Sequence, residues 1–477
     1  MTRKSPETRP SILWFRQDLR LADNPALAAA VRHGPVVPVF ILDDETPGQW
    51  RRGGASRWWL HHSLAALDAD LKKLGSGLVL RRGPAAKVLE ALVKDTGASA
   101  IFWNRQYEPW AITRDTHIKE RLKAQGLQTE SFNATLLREP WEMKTGTGGP
   151  YRVFTPFWRA ERECLSSIAL IDTPRQVPSP TSWPASDTLA AWKLLPTKPD
   201  WATGFGPLWT PGERGARRRL DTFLERALDL YAGNRDRPDI EATSRLSPHL
   251  HFGEISPRQV CKAALAAAQS RGQEGNADKF MSEVGWREFS YHLLYHFPHL
   301  PERNYRETFD AFPWNDDDAA FRKWSKGETG YPVVDAGMRE LWTTGYMHNR
   351  VRMVAASFLI KHLLVPWQRG AAWFWDTLLD ADLANNSASW QWVAGSGADA
   401  APYFRIFNPV MQGEKFDPDG SYVRRWVPEL SKCPVKHIHK PWEAPDFTSF
   451  RYPAPIIDHV RARDRALKAF ASLPKAE

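Results

Sequence analysis

Cysteine is sparse in this 477-residue sequence, where Cys164, Cys261 and Cys433 lie far apart. A disulfide framework is therefore not expected, and a reducing compartment fits. Three thiolates are also too few for a four-cysteine iron–sulfur cluster, and no metal site is expected. Membrane-length apolar runs are missing, and the opening MTRKSPETRP lacks the apolar core of a signal peptide. These absences predict a cytoplasmic protein without a membrane partner.

Nucleotide-binding glycine motifs are also missing. No predicted strand is followed by GxGxxG or GxxxxGK[ST], so neither common dinucleotide nor P-loop chemistry is indicated. Basic residues are in excess, with 64 lysines and arginines against 55 acidic residues and a formal charge of +9. That balance suits a polyanionic partner. The 23 tryptophans could fill the core, stack on bases or carry electrons, and composition alone leaves these roles open.

Short apolar runs alternate with helical patterns in the first part of the chain. Buried strands are predicted at Ser11–Phe15, Val36–Leu42, Gly77–Leu80 and Ala100–Trp103. Helices are predicted at Pro25–Arg32, Ser56–Leu74, Pro84–Thr96 and Ile112–Gln125. This alternation predicts an α/β domain over residues 1–135, with a Rossmann-like parallel sheet.

The rest of the chain lacks this alternation of strand and helix patterns. Residues 136–210 are rich in Pro, Ser, Thr and Trp, as in SPTSWPAS, and are predicted to be an ordered interdomain linker. From 211 to 477 the apolar spacing is helical, which predicts an all-α domain. Within it, helices are expected at 277–297, 335–363, 370–380 and 384–393.

Two segments of the helical part concentrate unusual residues. Thr243–Pro248, TSRLSP, places hydroxyls, an arginine and backbone amides ahead of a predicted helix, which makes an anion cradle. The alternative is an ordinary helix start capped by Ser247. Glu283, Trp286 and Arg287 would share one helical face, where they could accept hydrogen bonds, stack on a base and hold a phosphate. The alternative is a Glu283–Arg287 surface pair with a core tryptophan.

A third cluster combines MHNRVRM with DADLANNSASWQW. Asn349, Arg352 and Met353 are predicted to share one helical face. A buried Arg352 would need a carboxylate, for which Asp380 and Asp382 are the candidates. Such a polar cluster in an aromatic helical domain suggests a site for a polar, planar cofactor, with helix capping as the alternative.

At these residues the sequence resembles the cryptochrome/photolyase family. The matching segments run in order from WFRQDLR at Trp14 through TSRLSP, WREF, GYPVVDAGMREL and MHNRVRM to APYFRIFNPVMQGEKFDPDG. The resemblance covers nearly the whole chain. It implies an α/β domain, a long linker and a helical domain that binds FAD.

The resemblance also implies residue roles. The expected FAD contacts are Tyr231, Thr243, Ser244, Arg245, Leu246, Ser247, Asn349, Arg352, Asp380, Asp382 and Asn386. Asn386 takes the position that faces flavin N5. The expected electron-relay tryptophans are Trp390, Trp367 and Trp314, whose alternative role is core packing.

The expected contacts with damaged DNA follow the enzymes that repair cyclobutane pyrimidine dimers. The pocket positions are Glu283, Trp286, Met353 and Trp392, and the phosphate contacts are Arg235, Arg350 and Arg405. Enzymes for (6-4) lesions carry histidines where this chain has Asn349 and Met353. Tyr346 stands where many cyclobutane-dimer enzymes have tryptophan, which bears on the substrate pocket.

An antenna chromophore is expected as well. The folate-binding Asn-Glu pair of one photolyase subgroup corresponds here to Trp110-Ala111, and its second contact region reads Pro301-Glu302. The run GGASRWWLHHSL resembles the third class of cyclobutane photolyases, where folate binds differently. Methenyltetrahydrofolate is the antenna that this pattern favours.

The predicted function is light-dependent repair of cyclobutane dimers in DNA, by one electron passed from FAD to a flipped-out dimer. The alternatives are a signalling cryptochrome and a DNA-binding module without catalysis. Asn386, the dimer-pocket residues and the lack of a long tail after the flavin domain favour repair. We expect the protein to act as a monomer.

Overall fold

The structure is a computed structural model that describes residues 9–400 and 404–474. Its first part is a five-stranded parallel sheet with the strand order β3-β2-β1-β4-β5. The strands are β1 (Ser11–Phe15), β2 (Val36–Leu42), β3 (Val79–Arg82), β4 (Ala100–Asn104) and β5 (Gln128–Phe132). The helices between them are α1 (Pro25–His33), α2 (Gly54–Lys73), α3 (Ala85–Thr96) and α4 (Pro109–Ala124). The predicted α/β architecture is confirmed.

Both faces of the central strands are covered, which is why their sequences are continuously apolar. Along β1, Ile12 and Trp14 pack into one buried cluster, whereas Leu13 and Phe15 pack into another on the opposite face. The predicted bounds of β1 and β2 are confirmed.

The edges of the sheet differ from the prediction. The fifth strand, QTESF, was not predicted, because a polar and partly exposed edge strand shows no apolar run. Strand β3 lies at Val79–Arg82 rather than Gly77–Leu80. The outer edge of β3 is hydrogen-bonded to the stretch that follows the sheet domain, because Asp187 donates its backbone N–H to Leu80 O over 2.8 Å.

The stretch predicted as a linker packs closely on its neighbours. It contains one helix, α5 (Phe154–Glu161), and several 3₁₀ turns. Trp192, Phe205 and Trp209 are buried in a core cluster that they share with the sheet. The exact domain boundaries at 135/136 and 210/211 remain predictions.

The remainder of the described chain is helical. Its first helices are α6 (Glu213–Arg226), α7 (Tyr231–Asn234), α8 (Ser247–His251), α9 (Pro257–Gln269), α10 (Glu274–His296) and α11 (Asp318–Lys326). The next are α12 (Pro332–Thr344), α13 (Asn349–Ser357), α14 (Trp367–Thr377) and α15 (Leu383–Ala394). The last are α16 (Pro409–Phe416), α17 (Ser421–Trp426) and α18 (His459–Ala471). None of the helices in this described part of the chain is long and apolar enough to cross a membrane.

The single helix expected over 335–363 is broken into two. Helix α12 ends where Gly345 adopts a left-handed φ of 67°, a common helix terminator. Helix α13 then begins behind His348, whose ring nitrogen accepts the backbone N–H of Arg350. It continues into a π-helical turn at Phe358–His362. The break places Asn349 and Arg350 in the first turn of α13, where Asn349 is exposed.

Candidate functional site

The three polar segments singled out in the sequence meet among helices α7, α8, α10, α13 and α15. Helix α10 packs against α7 and α15, and α15 also packs against α13 and α14. The site therefore lies inside the helical domain, among five helices from separate parts of the chain.

Arg352 and Asp380 form the centre of the cluster. Arg352 Nη2 donates to Asp380 Oδ2 over 2.8 Å, and Ser247 Oγ donates to the same oxygen over 2.5 Å. Burial by itself would lower the pKa of Arg352, but the charge and hydrogen bond of Asp380, together with Tyr346 and Glu340, outweigh it and raise that pKa. Asp380 Oδ1 is buried and has no hydrogen-bond partner among the described residues. The predicted pairing of Arg352 with an aspartate is thus found, with one acceptor left free.

Asp382 caps helix α15 and also faces the site. Its Oδ1 accepts the backbone N–H of Asn385 over 2.9 Å, and its Oδ2 accepts the hydroxyl of Tyr291. Burial would raise the pKa of Asp382, but the hydrogen bond and charge of His251, followed by the charge of Arg287, hold it well below its usual range. Asp382 therefore has the capping role considered in the sequence and is a buried, ionised acceptor as well.

The TSRLSP segment turns sharply ahead of α8. Arg245 has a φ of 49°, a left-handed conformation that is uncommon for residues other than glycine. Leu246 occupies the N-cap position and is buried, whereas Ser247 is the first helical residue. Ser247 is therefore not the cap, because its hydroxyl is engaged by Asp380.

Tyr346 lies beside this segment. The guanidinium carbons of Arg245 and Arg352 lie 5.4 and 5.3 Å from the centre of its ring, and the Trp209 ring is 5.7 Å away. Tyr346 belongs to the buried cluster around Trp209, whereas Trp286 packs in a different cluster. Tyr346, which stands where the related enzymes are expected to have tryptophan, therefore contacts Arg245 and Arg352 and does not pack with Trp286.

Glu283 is held by two cations. Arg235 Nη2 lies 2.6 Å from Glu283 Oε2, and Lys279 Nζ lies 3.3 Å from Oε1. The Lys279 contact lacks hydrogen-bond geometry, so Oε1 is buried without a hydrogen-bond partner among the residues described. Glu283 therefore has one acceptor oxygen that Lys279 approaches without forming a hydrogen bond.

One face of the Trp286 ring is stacked against the ring of Phe154 from α5. The Phe154 ring lies parallel to it at 3.7 Å between ring centres, with an interplanar angle of 9°. Trp286 itself is only partly buried. The aromatic ring is thus fixed in orientation by Phe154 and keeps exposed surface.

Arg287 does not share the face of Glu283 and Trp286, contrary to the prediction. Its guanidinium is buried, where it donates to Thr135 O and to Glu288 Oε1, each over 2.9 Å. Helix α10 is buried on several sides, so apolar spacing could not identify its open face. Arg287 ties the helix to the α/β domain and is not placed to hold a phosphate.

The arginines expected to contact DNA have different surroundings. Arg350 Nη2 donates to Asp236 Oδ2 over 2.8 Å, and its guanidinium lies over the Phe416 ring at 4.6 Å. Arg405 is exposed and lies over Phe407 at 4.7 Å. Arg235 and Arg350 are each already paired with a carboxylate, whereas Arg405 is exposed and makes no such pair with a described residue.

The three tryptophans expected to relay electrons are two buried residues and one partly buried residue. Trp390 is 2% exposed and packs on Gly370 of α14, one turn beyond Trp367. Trp367 is 1% exposed and donates its indole N–H to Asn304 Oδ1 over 3.0 Å. Trp314 is only partly buried and packs against the same core cluster. This arrangement suits a path for electrons as well as core packing, and it leaves both roles open.

The remaining residues predicted for the site have the following surroundings. Tyr231 is buried against Phe223 and Phe280, and Asn386 Nδ2 donates to Ala371 O over 3.0 Å. Asn349 is exposed at the start of α13. Partly buried positions are Thr243, Ser244, Met353 and Trp392. Residues 401–403, which open the APYFRIFNPV segment, lie outside the described residues.

The residues present suit FAD. Asp380 has a free buried oxygen, Asp382 is a buried carboxylate, and Arg245 and Arg352 supply cations that match a diphosphate. The start of α8 adds backbone N–H groups beside them.

Sequence reasoning missed three residues of the site: Phe154, Asp236 and Lys279. Phe154 lies in the stretch predicted as a linker, and Asp236 directly follows Arg235. The i,i+4 spacing of Lys279 and Glu283 was a readable signal for an ion pair on one helix. The partners of Phe154 and Asp236 lie far away in sequence, so no local pattern could reveal them.

Comparison with known proteins agrees with this geometry. Residues 11–180 match the family described as DNA photolyase, and residues 280–472 match the FAD binding domain of DNA photolyase. A deoxyribodipyrimidine photo-lyase of Agrobacterium fabrum is 54% identical over 99% of both chains. Cryptochrome-1 of Arabidopsis thaliana is 42% identical over 98% of this chain and 71% of its own length.

Solved structures give the same result. A bacterial class III photolyase from Agrobacterium tumefaciens superposes with a TM-score of 0.95 and 53% identity, over 99% of both chains. The Synechocystis cryptochrome superposes with a TM-score of 0.86 and 28% identity, over 96% of this chain and 99% of its own. The sheet, the helical domain and these full-length similarities together show that the chain belongs to the cryptochrome/photolyase family.

Proposed function

We propose that this protein is a DNA photolyase that repairs cyclobutane pyrimidine dimers in light, with FAD as its cofactor. The observation that carries the proposal is the pairing of Glu283 with Trp286 on α10. One turn of helix presents a free carboxylate oxygen beside an aromatic ring that Phe154 holds in place. A flipped dimer needs these two features, an acceptor for its N–H groups and a flat apolar wall.

Bound FAD supplies the light-driven one-electron chemistry, and the protein supplies binding and orientation. Arg352, Asp380 and Ser247 form a hydrogen-bonded set that would hold the polar parts of the cofactor without reorganising. Asp382 would add a fixed negative charge beside it. Asn386 would face the flavin ring from the first turn of α15.

On the DNA side, the chain must stabilise an extruded nucleotide pair. Photolyases are a standard example of enzymes that extrude their target from the duplex. Trp286 would stack on the dimer, and Glu283 Oε1 would accept a hydrogen bond from it. Met353 and Trp392 would complete the apolar wall and exclude water.

The experiment that tests this function is a repair assay on an oligonucleotide that carries a single cyclobutane dimer. Protein with chemically reduced flavin should restore the intact pyrimidines under blue light and not in the dark. The Glu283→Gln variant keeps the shape of the side chain and should repair less. If the wild-type protein leaves the dimer intact under light, the repair assignment fails and the cryptochrome alternative gains support.

An antenna chromophore is a further part of the proposal, and methenyltetrahydrofolate is the favoured identity. Strands β1 and β4 are neighbours at the point where the sheet reverses its order, which is where α/β domains bind ligands. There, Glu108 Oε2 and Trp110 Nε1 are buried and lack hydrogen-bond partners among the residues described. Pigment released from the purified protein should be identified as a folate by mass spectrometry; release of flavin alone would contradict this.

We also propose that the protein acts as a cytoplasmic monomer on damaged DNA. Both DNA-facing ion pairs, Arg235–Glu283 and Arg350–Asp236, form within one chain, so the site is assembled without a second copy. Light scattering of the purified protein should give a mass close to 54.3 kDa. A stable dimer mass would contradict the monomer.

A further inference from the structure

Lys279 occupies a position at the mouth of the site that no motif singled out. It lies one turn before Glu283 on α10, with its Nζ 3.3 Å from Glu283 Oε1. Its side chain is 42% exposed, whereas that of Arg235, which holds the other oxygen, is 17% exposed. One carboxylate therefore faces two cations, and this corner carries an excess positive charge.

The two cations differ in how firmly they are held. Arg235 lies 2.6 Å from Glu283 Oε2 and its guanidinium is 5.9 Å from the Tyr231 ring, so its planar group is fixed from two sides. Lys279 has a flexible four-carbon stem and makes no geometrically sound hydrogen bond to Oε1, which has no such partner among the residues described. Half-exposed ion pairs of this kind are weak. Lys279 can therefore leave while Arg235 still compensates the Glu283 charge.

We propose that Lys279 is a conditional DNA contact, which covers Glu283 Oε1 in the free protein and moves to a backbone phosphate once a dimer occupies that oxygen. This inference rests on the proposed function. An N–H group of the dimer that donates to Oε1 removes the partner of Lys279. The freed ammonium group then lies at the mouth of the pocket, where the phosphates that flank an extruded dimer must pass.

Undamaged duplex DNA offers no such exchange. Its bases stay stacked and paired, so no donor enters the pocket and Lys279 keeps its contact with Glu283. The charge of Lys279 is then compensated within the protein. Lys279 would thus strengthen binding to damaged DNA only, which makes it a residue that determines specificity.

The test is the salt dependence of binding to two duplexes that differ only in one cyclobutane dimer. The Lys279→Met variant keeps the apolar stem and removes the charge. Its log–log salt slope should fall by about 0.9 for dimer DNA, the value of one lost phosphate contact, and should not change for undamaged DNA. The Lys279→Arg variant should keep both slopes.

A matched control is Lys262→Met on α9, where the exposed lysine reaches only Ile168 O at 3.5 Å. This variant should leave both slopes unchanged. Bound FAD and melting temperature, measured for each variant, show whether the fold is intact, and Lys279→Gln provides a second uncharged variant.

Two results would overturn the inference. Equal falls of both slopes in Lys279→Met would make Lys279 an ordinary surface cation, and no fall in either would leave it only a partner of Glu283. The wild-type protein in the same series tests the proposed function separately. A wild type that prefers dimer DNA, combined with an unchanged variant, overturns only the role of Lys279, whereas a wild type without preference overturns the repair function itself.

Discussion

Trp286 is the residue whose role the structure sharpens most. Phe154 covers one of its faces at 3.7 Å, so only the other face can receive a base. Trp286→Ala should weaken binding to dimer DNA by roughly 5- to 150-fold, because stacking on one aromatic ring contributes about 1–3 kcal/mol. Binding to undamaged DNA should hardly change, since phosphate contacts act on any sequence. The measurement is the affinity for both duplexes on one preparation.

A control for this prediction is Trp183→Ala, which removes an exposed tryptophan of the connecting region. It should alter neither affinity. If Trp286→Ala instead loses flavin and melts at lower temperature, with equal losses for both DNAs, its ring serves the core and not the pocket.

Asp382 combines a cap with a buried charge, so its removal should depend on pH. Its pKa lies below the usual value of about 3.9 in the folded protein. The resulting stabilisation is complete above pH 3.9 and is lost as the pH falls through the lower, folded-state value. Asp382→Asn keeps a capping oxygen but removes the charge that accepts the Tyr291 hydroxyl, so it should lower the free energy of unfolding by at least about 1 kcal/mol at pH 7. In urea titrations the difference in the free energy of unfolding between the variant and the wild type should stay constant down to about pH 5 and decrease below about pH 4.

The comparison variant for Asp382 is Asp317→Asn, which keeps a capping oxygen at the start of α11 and removes the charge of a less buried aspartate. Because Asn caps about as well as Asp, its loss of stability should be below about 0.5 kcal/mol, and flavin should stay bound. An Asp382→Asn protein that keeps full flavin and loses no more stability than this control would remove Asp382 from the cofactor site.

At the scale of elements, α14 and α15 carry two of the three tryptophans expected to relay electrons, Trp367 and Trp390. Gly370 allows the Trp390 ring to pack directly on α14, one turn beyond Trp367. Trp390→Phe keeps an aromatic ring in the core but removes the easily oxidised indole. It should block photoreduction of oxidised flavin, followed by absorption in steady light, while repair by enzyme reduced beforehand continues.

The control for the relay is Trp192→Phe, which changes a buried tryptophan of the stretch between the two domains. Photoreduction in that variant should match wild type. Normal photoreduction in Trp390→Phe would show that electrons take another route.

At the scale of the whole molecule, the net charge of +9 favours DNA, but Arg235 and Arg350, which are expected to contact DNA, are already paired with carboxylates within the protein. If Arg350 releases Asp236 and contacts a phosphate, Arg350→Ala should lower the salt slope for damaged DNA by about 0.9. The control is Arg271→Ala, which removes an arginine that is paired with Asp229. It should leave the salt slope unchanged. An unchanged slope in Arg350→Ala would place that arginine outside the DNA footprint.

The sequence by itself determined the architecture and the pairing of Arg352 with an aspartate. Strands β1 and β2 were readable because burial on both faces requires continuous apolar runs. The cluster of Arg352 with an aspartate was readable because a buried guanidinium needs a carboxylate, and few were available. The family motifs then assigned this cluster to FAD.

Only the tertiary structure decided which side chains share a face and which charges are already paired. Strand β5 was not predicted because its residues are polar and show no apolar pattern. It forms as a strand through its pairing with β4. Arg287 was assigned to the wrong side because α10 is buried on several faces, so helical spacing does not show which one opens. The pairs Arg235–Glu283 and Arg350–Asp236 join residues 48 and 114 positions apart. Such contacts arise from packing of distant helices, which no local pattern encodes.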